Sequence, residues 1–171
     1  MDSSAAVGHV LGLLYFMLPA YAANMSAPFA RYWRGRNPPI NARLLGSHKT
    51  VVGFGLGVLA ATVVTALQAW LALPGTVVDD ANWPWLGLGF GIGSMGADAL
   101  KSLAKRRLRI TPGSPWIPFD QVDFAIGALL CVAPLVRVPL LDVGIILLMT
   151  FIGDLAINRL SFRMGIKRTP W

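Results

Sequence analysis

The stretch Val51-Val-Gly-Phe-Gly-Leu-Gly-Val-Leu-Ala-Ala-Thr-Val-Val-Thr-Ala-Leu-Gln-Ala-Trp-Leu-Ala-Leu73 carries no formal charge from end to end. At a rise of about 1.5 Å per residue, a helix of this length is long enough to cross a hydrocarbon layer of about 30 Å. Upstream, Val7 to Ala30 is equally long, holds no Asp, Lys or Arg, and contains Pro19, which is expected to bend it. It has no basic n-region, and Asp2 is the only early charge, so it reads as a span and not as a signal peptide. Downstream, a third run opens at Trp83 to Trp85 and continues past Asp98, and a fourth starts near Asp123 and is closed by Pro134, Arg137 and Pro139. A fifth runs from Leu141 to Leu160 with Asp154 inside it. The sequence therefore predicts an all-α integral membrane protein with one membrane-embedded domain over residues 1–171. Five transmembrane helices are expected at about 7–30, 51–73, 84–104, 121–138 and 141–162. The very short turn between the fourth and fifth makes them antiparallel neighbours.

Composition agrees with that class. The chain is 55% hydrophobic and 13% charged, whereas a soluble domain lies nearer 45–50% and about 25%. Its mean hydropathy is +0.60. Disorder is excluded by the low charge, and a disulfide scaffold by the single cysteine, Cys131. Fifteen Lys and Arg face eight acidic residues, all Asp, for a net charge of +7. These cations do not form a soluble nucleic-acid-binding module; they lie between apolar runs, where headgroup contact and membrane orientation account for them.

Their distribution sets the orientation. The first connection carries Arg31, Arg34, Arg36, Arg43 and Lys49, the third carries Lys105, Arg106, Arg107 and Arg109, and the tail carries Arg163, Lys167 and Arg168. The second connection has Asp79 and Asp80 and no basic residue. The positive-inside rule puts the basic loops and the C-terminus in the cytoplasm and the N-terminus outside a cell membrane.

Gly91-x-Gly93-x-x-Gly96 matches the dinucleotide fingerprint by letter but lacks the strand and βαβ unit that give it meaning. Gly87 with Gly91, Gly89 with Gly93 and Gly53 with Gly57 are better read as small residues four apart. Such pairs let helix backbones approach closely, within one chain or across a homodimer. Gly93, Ser94 and Gly96 also leave room beside Asp98.

Ionisable groups inside spans are costly and mark cavities or bundle interiors. Asp98, Lys101, Ser102 and Lys105 are spaced i, i+3, i+4 and i+7 and share one helical face. Asp120 and Asp123 are three apart at the start of the fourth run, Asp154 approaches the same depth, and Asn24, His48 and Lys49 lie at the same side. A purely structural role remains open for Asp98 with Lys101 and for Asp154 with Arg159, as buried ion pairs joining helices. The chemical reading is stronger for Asp98, Asp120 and Asp123. Three carboxylates suit a hard divalent cation, and the neighbouring Lys and Arg suit phosphates, the apparatus of phosphoryl and nucleotidyl transfer. A Cys/His metal site is excluded, because there is one cysteine and His9 and His48 are expected on opposite sides. Ser102 reads as a packing residue or hydrogen-bond donor, since no serine-nucleophile motif surrounds it. Thr111-Pro-Gly-Ser-Pro115 reads as an ordered turn, with Trp116 and Phe119 anchoring it at the interface.

The segment Gly96-Ala-Asp98-Ala-Leu-Lys101-Ser102-Leu-Ala-Lys105-Arg106-Arg107, followed by Pro118-Phe-Asp120-Gln121-Val-Asp123, resembles the CTP-dependent phosphatidate cytidylyltransferase superfamily. With Asn24 and Gly46-Ser47-His48-Lys49 added, nearly the whole chain resembles its archaeal branch, the CDP-archaeol synthase family. The Gly-His-Gly-Gly portion of the bacterial and eukaryotic signature is absent, and Gln121 stands where that signature has Arg. The resemblance implies transfer of CMP from CTP to 2,3-bis-O-(geranylgeranyl)-sn-glycerol 1-phosphate, releasing pyrophosphate, with Mg²⁺ as cofactor. It implies that Asp98, Asp120 and Asp123 hold Mg²⁺, and that His48, Lys49, Lys101, Lys105 and Arg106 neutralise phosphates. Pro38-Pro39-Ile40-Asn41 would close over the nucleotide, with Asn24 or Asn41 and Ser102 as polar contacts, and the isoprenoid ether lipid would enter sideways from the inner leaflet. Two other classes compete. A CDP-alcohol phosphotransferase would show Asp-Gly-x-x-Ala-Arg followed by Gly-x-x-x-Asp-x-x-x-Asp, which is missing, and a small transporter would show matched broken helices or a repeat.

Overall fold

The computed structural model describes residues 3–73, 82–111 and 114–165. Asp79 and Asp80, Pro112 and Gly113, and Lys167 and Arg168 lie outside the described residues. Within them the chain forms α1 (Ser3–Ser26), α2 (Val51–Leu71), α3 (Trp83–Arg107), α4 (Phe119–Val132) and α5 (Leu140–Arg163), with a 3-10 helix Ala27–Tyr32 continuing α1. Pro28 in the first turn of that extension removes an N–H and tightens the chain there, whereas Pro19 sits inside α1 without ending it.

Ser3–Tyr32, Val51–Leu71 and Leu140–Arg163 are long and apolar enough to cross a membrane. The protein is thus an all-α, multi-pass membrane protein with at least three such helices. The fourth helix differs most from its sequence-derived range: it starts at Phe119 and stops at Val132, giving way to a turn at 133–135. Pro134 cannot extend the hydrogen-bond ladder, and Pro139 immediately precedes α5. At 14 residues, α4 is about 21 Å long.

Small residues let the helices meet. A Cβ on Gly91 would lie 2.6 Å from Val58 Cα, and one on Gly87 would lie 2.8 Å from Thr62 Cα, so α3 rests on the backbone of α2. The contact of α3 with α4 is closer still, with Gly93 and Gly127 each set against the other's carbonyl. Residue numbers rise on one helix as they fall on the other in both pairs, so α2/α3 and α3/α4 are antiparallel. By contrast, His9 meets Asp142 at 2.8 Å and Tyr21 meets Thr150 at 2.9 Å, which makes α1 and α5 parallel. The core is built from Ala20, Ala61, Ala125 and Ala128 around larger Phe16, Phe90 and Ile146, with Phe16 and Phe90 edge to face at 5.2 Å. Large apolar groups point the other way: Trp70, Leu100, Leu130 and Leu140 are among the most exposed side chains. That inversion suits hydrocarbon as the solvent, since water would drive such patches together.

Candidate active site

The site forms where the loop before α2 meets the C-terminal third of α3 and the first turns of α4. The loop is fixed by its backbone. Ile40 N–H donates to Lys49 O at 2.8 Å and Val51 N–H donates to Pro38 O at 3.1 Å, closing an antiparallel bridge between Pro39 and Thr50. Thr50 then caps α2, its Oγ1 accepting from Gly53 N–H at 3.2 Å. Gly46 turns the chain with a φ of +97°, and a Cβ there would lie 2.7 Å from Arg106 Nη2 and 2.8 Å from the His48 ring. Only glycine combines that conformation with that clearance.

These constraints bring Lys49 onto Asp98 of α3, with its ammonium hydrogen-bonded to Asp98 Oδ2. A ladder of alternating charge continues from there. Lys101 Nζ lies 3.3 Å from Asp98 Oδ1, 3.5 Å from Asp120 Oδ1 and 3.0 Å from Asp123 Oδ2. Lys105 Nζ donates to Asp120 Oδ2 at 2.8 Å and to Ser114 O at 2.7 Å, and Asp120 Oδ2 also accepts from Trp116 N–H at 2.6 Å. Lys105 and Asp120 therefore also anchor the incoming loop. Ser102 Oγ donates to Asp98 O at 3.0 Å, within its own helix.

Two adjoining cavities border the ladder. One of about 390 Å³ is lined by His48, Lys49, Lys101, Lys105, Arg106 and Asp120, among others. The other, of about 290 Å³, is lined by Asn24, Pro28, Ile40 and Thr50, and shares His48, Lys49 and Asp98 with the first. A third, largely apolar groove of about 560 Å³ lies between α1, α4 and α5, and Asn24 borders it as well. Of the residues singled out in the sequence, Asn24, His48, Lys49, Asp98, Lys101, Ser102, Lys105, Arg106 and Asp120 line one or both polar cavities. Asp123 joins through Lys101. Asn41 does not line them: its Oδ1 accepts from Leu44 N–H at 3.0 Å and holds the turn that follows. Asp154 lies in the apolar groove, where Asn158 Nδ2 donates to its Oδ2 at 2.7 Å. Tyr21, Thr150 and Asn158 line the same groove and were not singled out. The signal was present as spacing, since residues 150, 154 and 158 share one face of α5.

Partial burial, reinforced by the charge of Lys49, lowers the pKa of His48 below the ordinary imidazole value, against the pull of Asp98. The shift favours the neutral ring, a hydrogen-bonding partner, over the imidazolium. For a divalent cation, the donor set fits in chemistry, being hard carboxylate oxygen. Asp123 Oδ2 is buried without a hydrogen-bond partner, although Lys101 is close by. Among the described residues no group of three or more His, Cys, Asp or Glu is gathered as a metal site. The three carboxylates instead stand around the Lys101 ammonium.

The CarS-like: CDP-archaeol synthase family matches residues 7–171. A CDP-archaeol synthase of Thermofilum pendens is 36% identical, over 96% of this chain and 82% of its own. One from Methanospirillum hungatei is 34% identical, over 91% of this chain and 100% of its own. A solved structure, described as an intramembrane enzyme for archaeal membrane lipids biosynthesis, superposes with a TM-score of 0.74 at 26% identity. It covers 87% of this chain and 94% of that one. Fold, site and likeness together define a membrane-embedded, CTP-dependent nucleotidyltransferase. The chain belongs to the CDP-archaeol synthase family.

Proposed function

We propose that this protein transfers CMP from CTP to 2,3-bis-O-(geranylgeranyl)-sn-glycerol 1-phosphate, giving CDP-archaeol and pyrophosphate. The observation that carries the reading is the ladder of Lys49, Lys101 and Lys105 interleaved with Asp98, Asp120 and Asp123 beside two polar cavities. Membership of the CDP-archaeol synthase family supports this choice of reaction.

An oxygen of the lipid phosphate attacks the α-phosphorus of CTP, and the bond from that phosphorus to the bridging oxygen of the β-phosphate breaks, so pyrophosphate leaves. A phosphate monoester is already a competent nucleophile, so the protein's work is to position and neutralise. Asp98, Asp120 and Asp123 would hold Mg²⁺, which supplies charge neutralisation across the triphosphate. Lys49, Lys101, Lys105 and Arg106 bind phosphate oxygens of CTP and of the lipid, and neutral His48 adds a hydrogen bond. Asn24, common to the polar cavity and the apolar groove, contacts the lipid headgroup where the two meet. Ser102 keeps Lys101 and Lys105 in register by packing, and Asn41 shapes the loop that covers the nucleotide.

The whole chain, 1–171, acts as one domain with five spans, the N-terminus outside and the C-terminus cytoplasmic. The short α4 and charged α3 cross as part of the bundle. CTP arrives from the cytoplasm and the lipid chains lie in the groove between α1 and α5. The test is lipid-dependent pyrophosphate release by detergent-purified protein with Mg²⁺ and CTP. Release that is lost on omitting the lipid or replacing CTP with ATP supports the reading; release indifferent to both refutes it.

A further inference from the structure

We propose that Lys101 is a built-in counter-ion at the centre of the carboxylate set, and that loading of a divalent cation exchanges it from the carboxylates to a nucleotide phosphate. The proposal rests on the reading of the site given above. Its consequence is that a divalent cation and the nucleotide load as a coupled pair.

Lys101 Nζ stands within 3.5 Å of an oxygen from each of the three aspartates, and among the described residues no other cation reaches all of them. Lys49 pairs with Asp98 and Lys105 with Asp120 at the two ends of the ladder. Asp123 has Lys101 alone as an ion-pair partner among the described residues, and its side chain is 10% exposed. Without Lys101, Asp123 would be a nearly buried carboxylate with no compensating charge, a state proteins strongly disfavour. An ammonium and a divalent cation cannot share that centre, because each would face a like charge at contact distance. The distances disagree as well. The oxygens stand 3.0 to 3.5 Å from Nζ, against about 2.0–2.1 Å around Mg²⁺. Metal loading therefore requires Nζ to leave and the oxygens to draw in.

The departing ammonium needs an anion. Lys101 lines the cavity of about 390 Å³, which also presents Lys49, Lys105 and Arg106. A triphosphate there gives Nζ a new partner within reach of its four-carbon stem. With nucleotide present the exchange conserves ion pairing; with metal alone it strands an ammonium that is 15% exposed. Binding linkage is reciprocal, so the same exchange makes nucleotide binding metal-dependent.

The decisive readout is metal binding, not turnover. Mn²⁺ is titrated into purified protein without nucleotide and followed by the loss of its free electron-spin-resonance signal. Lys101→Gln and Lys101→Met, each retained only if monodisperse and melting as the wild type does, should bind Mn²⁺ alone roughly 10- to 100-fold more tightly than the wild type. Lys101→Arg keeps the cation and should stay near wild-type affinity. Adding Asp123→Asn to Lys101→Gln should remove the gain. Unchanged or weaker Mn²⁺ binding in both neutral variants, or a gain that survives Asp123→Asn, overturns the exchange. If instead wild-type protein with CTP shows no Mn²⁺ binding beyond that of CTP in solution, the metal reading of the site itself fails.

Discussion

At the residue scale, the site works by crowding opposite charges where water is scarce, so single charges are expected to matter far more than on a soluble surface. Asp98→Asn and Asp123→Asn should each lower CTP turnover by about 100-fold or more while leaving helicity intact, measured by pyrophosphate release and circular dichroism. His48 gives a pH signature. Its pKa is depressed in the folded protein, so the unfolded chain takes up the proton first as pH falls through the ordinary imidazole value of about 6.5. The stability it contributes is present above that value and is lost as pH drops toward its folded pKa. His48→Gln should accordingly melt with a shallower pH dependence than the wild type between about pH 7.5 and 5.5. The gathering of these charges was legible in the sequence because helical spacing is rigid: Asp98, Lys101 and Lys105 had to share a face. The direction of the His48 shift was not legible, because it is set first by how far the folded loop buries the ring, with Lys49 adding to it, and burial is a tertiary property. Nor was Asn41's hold on the following turn, which depends on a backbone conformation and not on residue type.

At the scale of elements, glycine carries the packing. A methyl group on Gly93 would sit 2.3 Å from Gly127 O, and one on Gly127 would sit 2.3 Å from Gly93 O. Gly93→Ala and Gly127→Ala should therefore each destabilise by about 1–3 kcal/mol, seen as a lower melting temperature in detergent. Gly144→Ala is the control: nothing lies within 4 Å of its added Cβ, so it should be neutral or slightly stabilising. The four-residue glycine spacing foretold close helix approach, but not which neighbour each glycine serves. Gly87 and Gly91 face α2 while Gly93 faces α4, a division set by how three helices share one surface. The end of α4 was misjudged for a local reason: apolar character continues through Leu135 and Val136, but Pro134 stops the helix before apolarity does.

At the scale of the molecule, two solvents meet at one site. A groove lined by Leu14, Met149 and Ile157 meets at Asn24 the cavity that presents Lys49 and Asp98, the junction at which a lipid phosphate and a nucleotide would come together. The orientation predicts sidedness. In a Cys131→Ser background, Ser3→Cys should react with an impermeant maleimide on intact right-side-out vesicles, and Arg34→Cys only after permeabilisation. The most direct test of the whole account follows the phosphorus atoms of CTP. Matched reactions with lipid phosphate and Mg²⁺ use CTP labelled at the α- or the γ-phosphate. The account predicts α-label in the lipid fraction and γ-label in pyrophosphate, in equal amounts. Alpha label that stays water-soluble, or γ-label that enters the lipid, would contradict it.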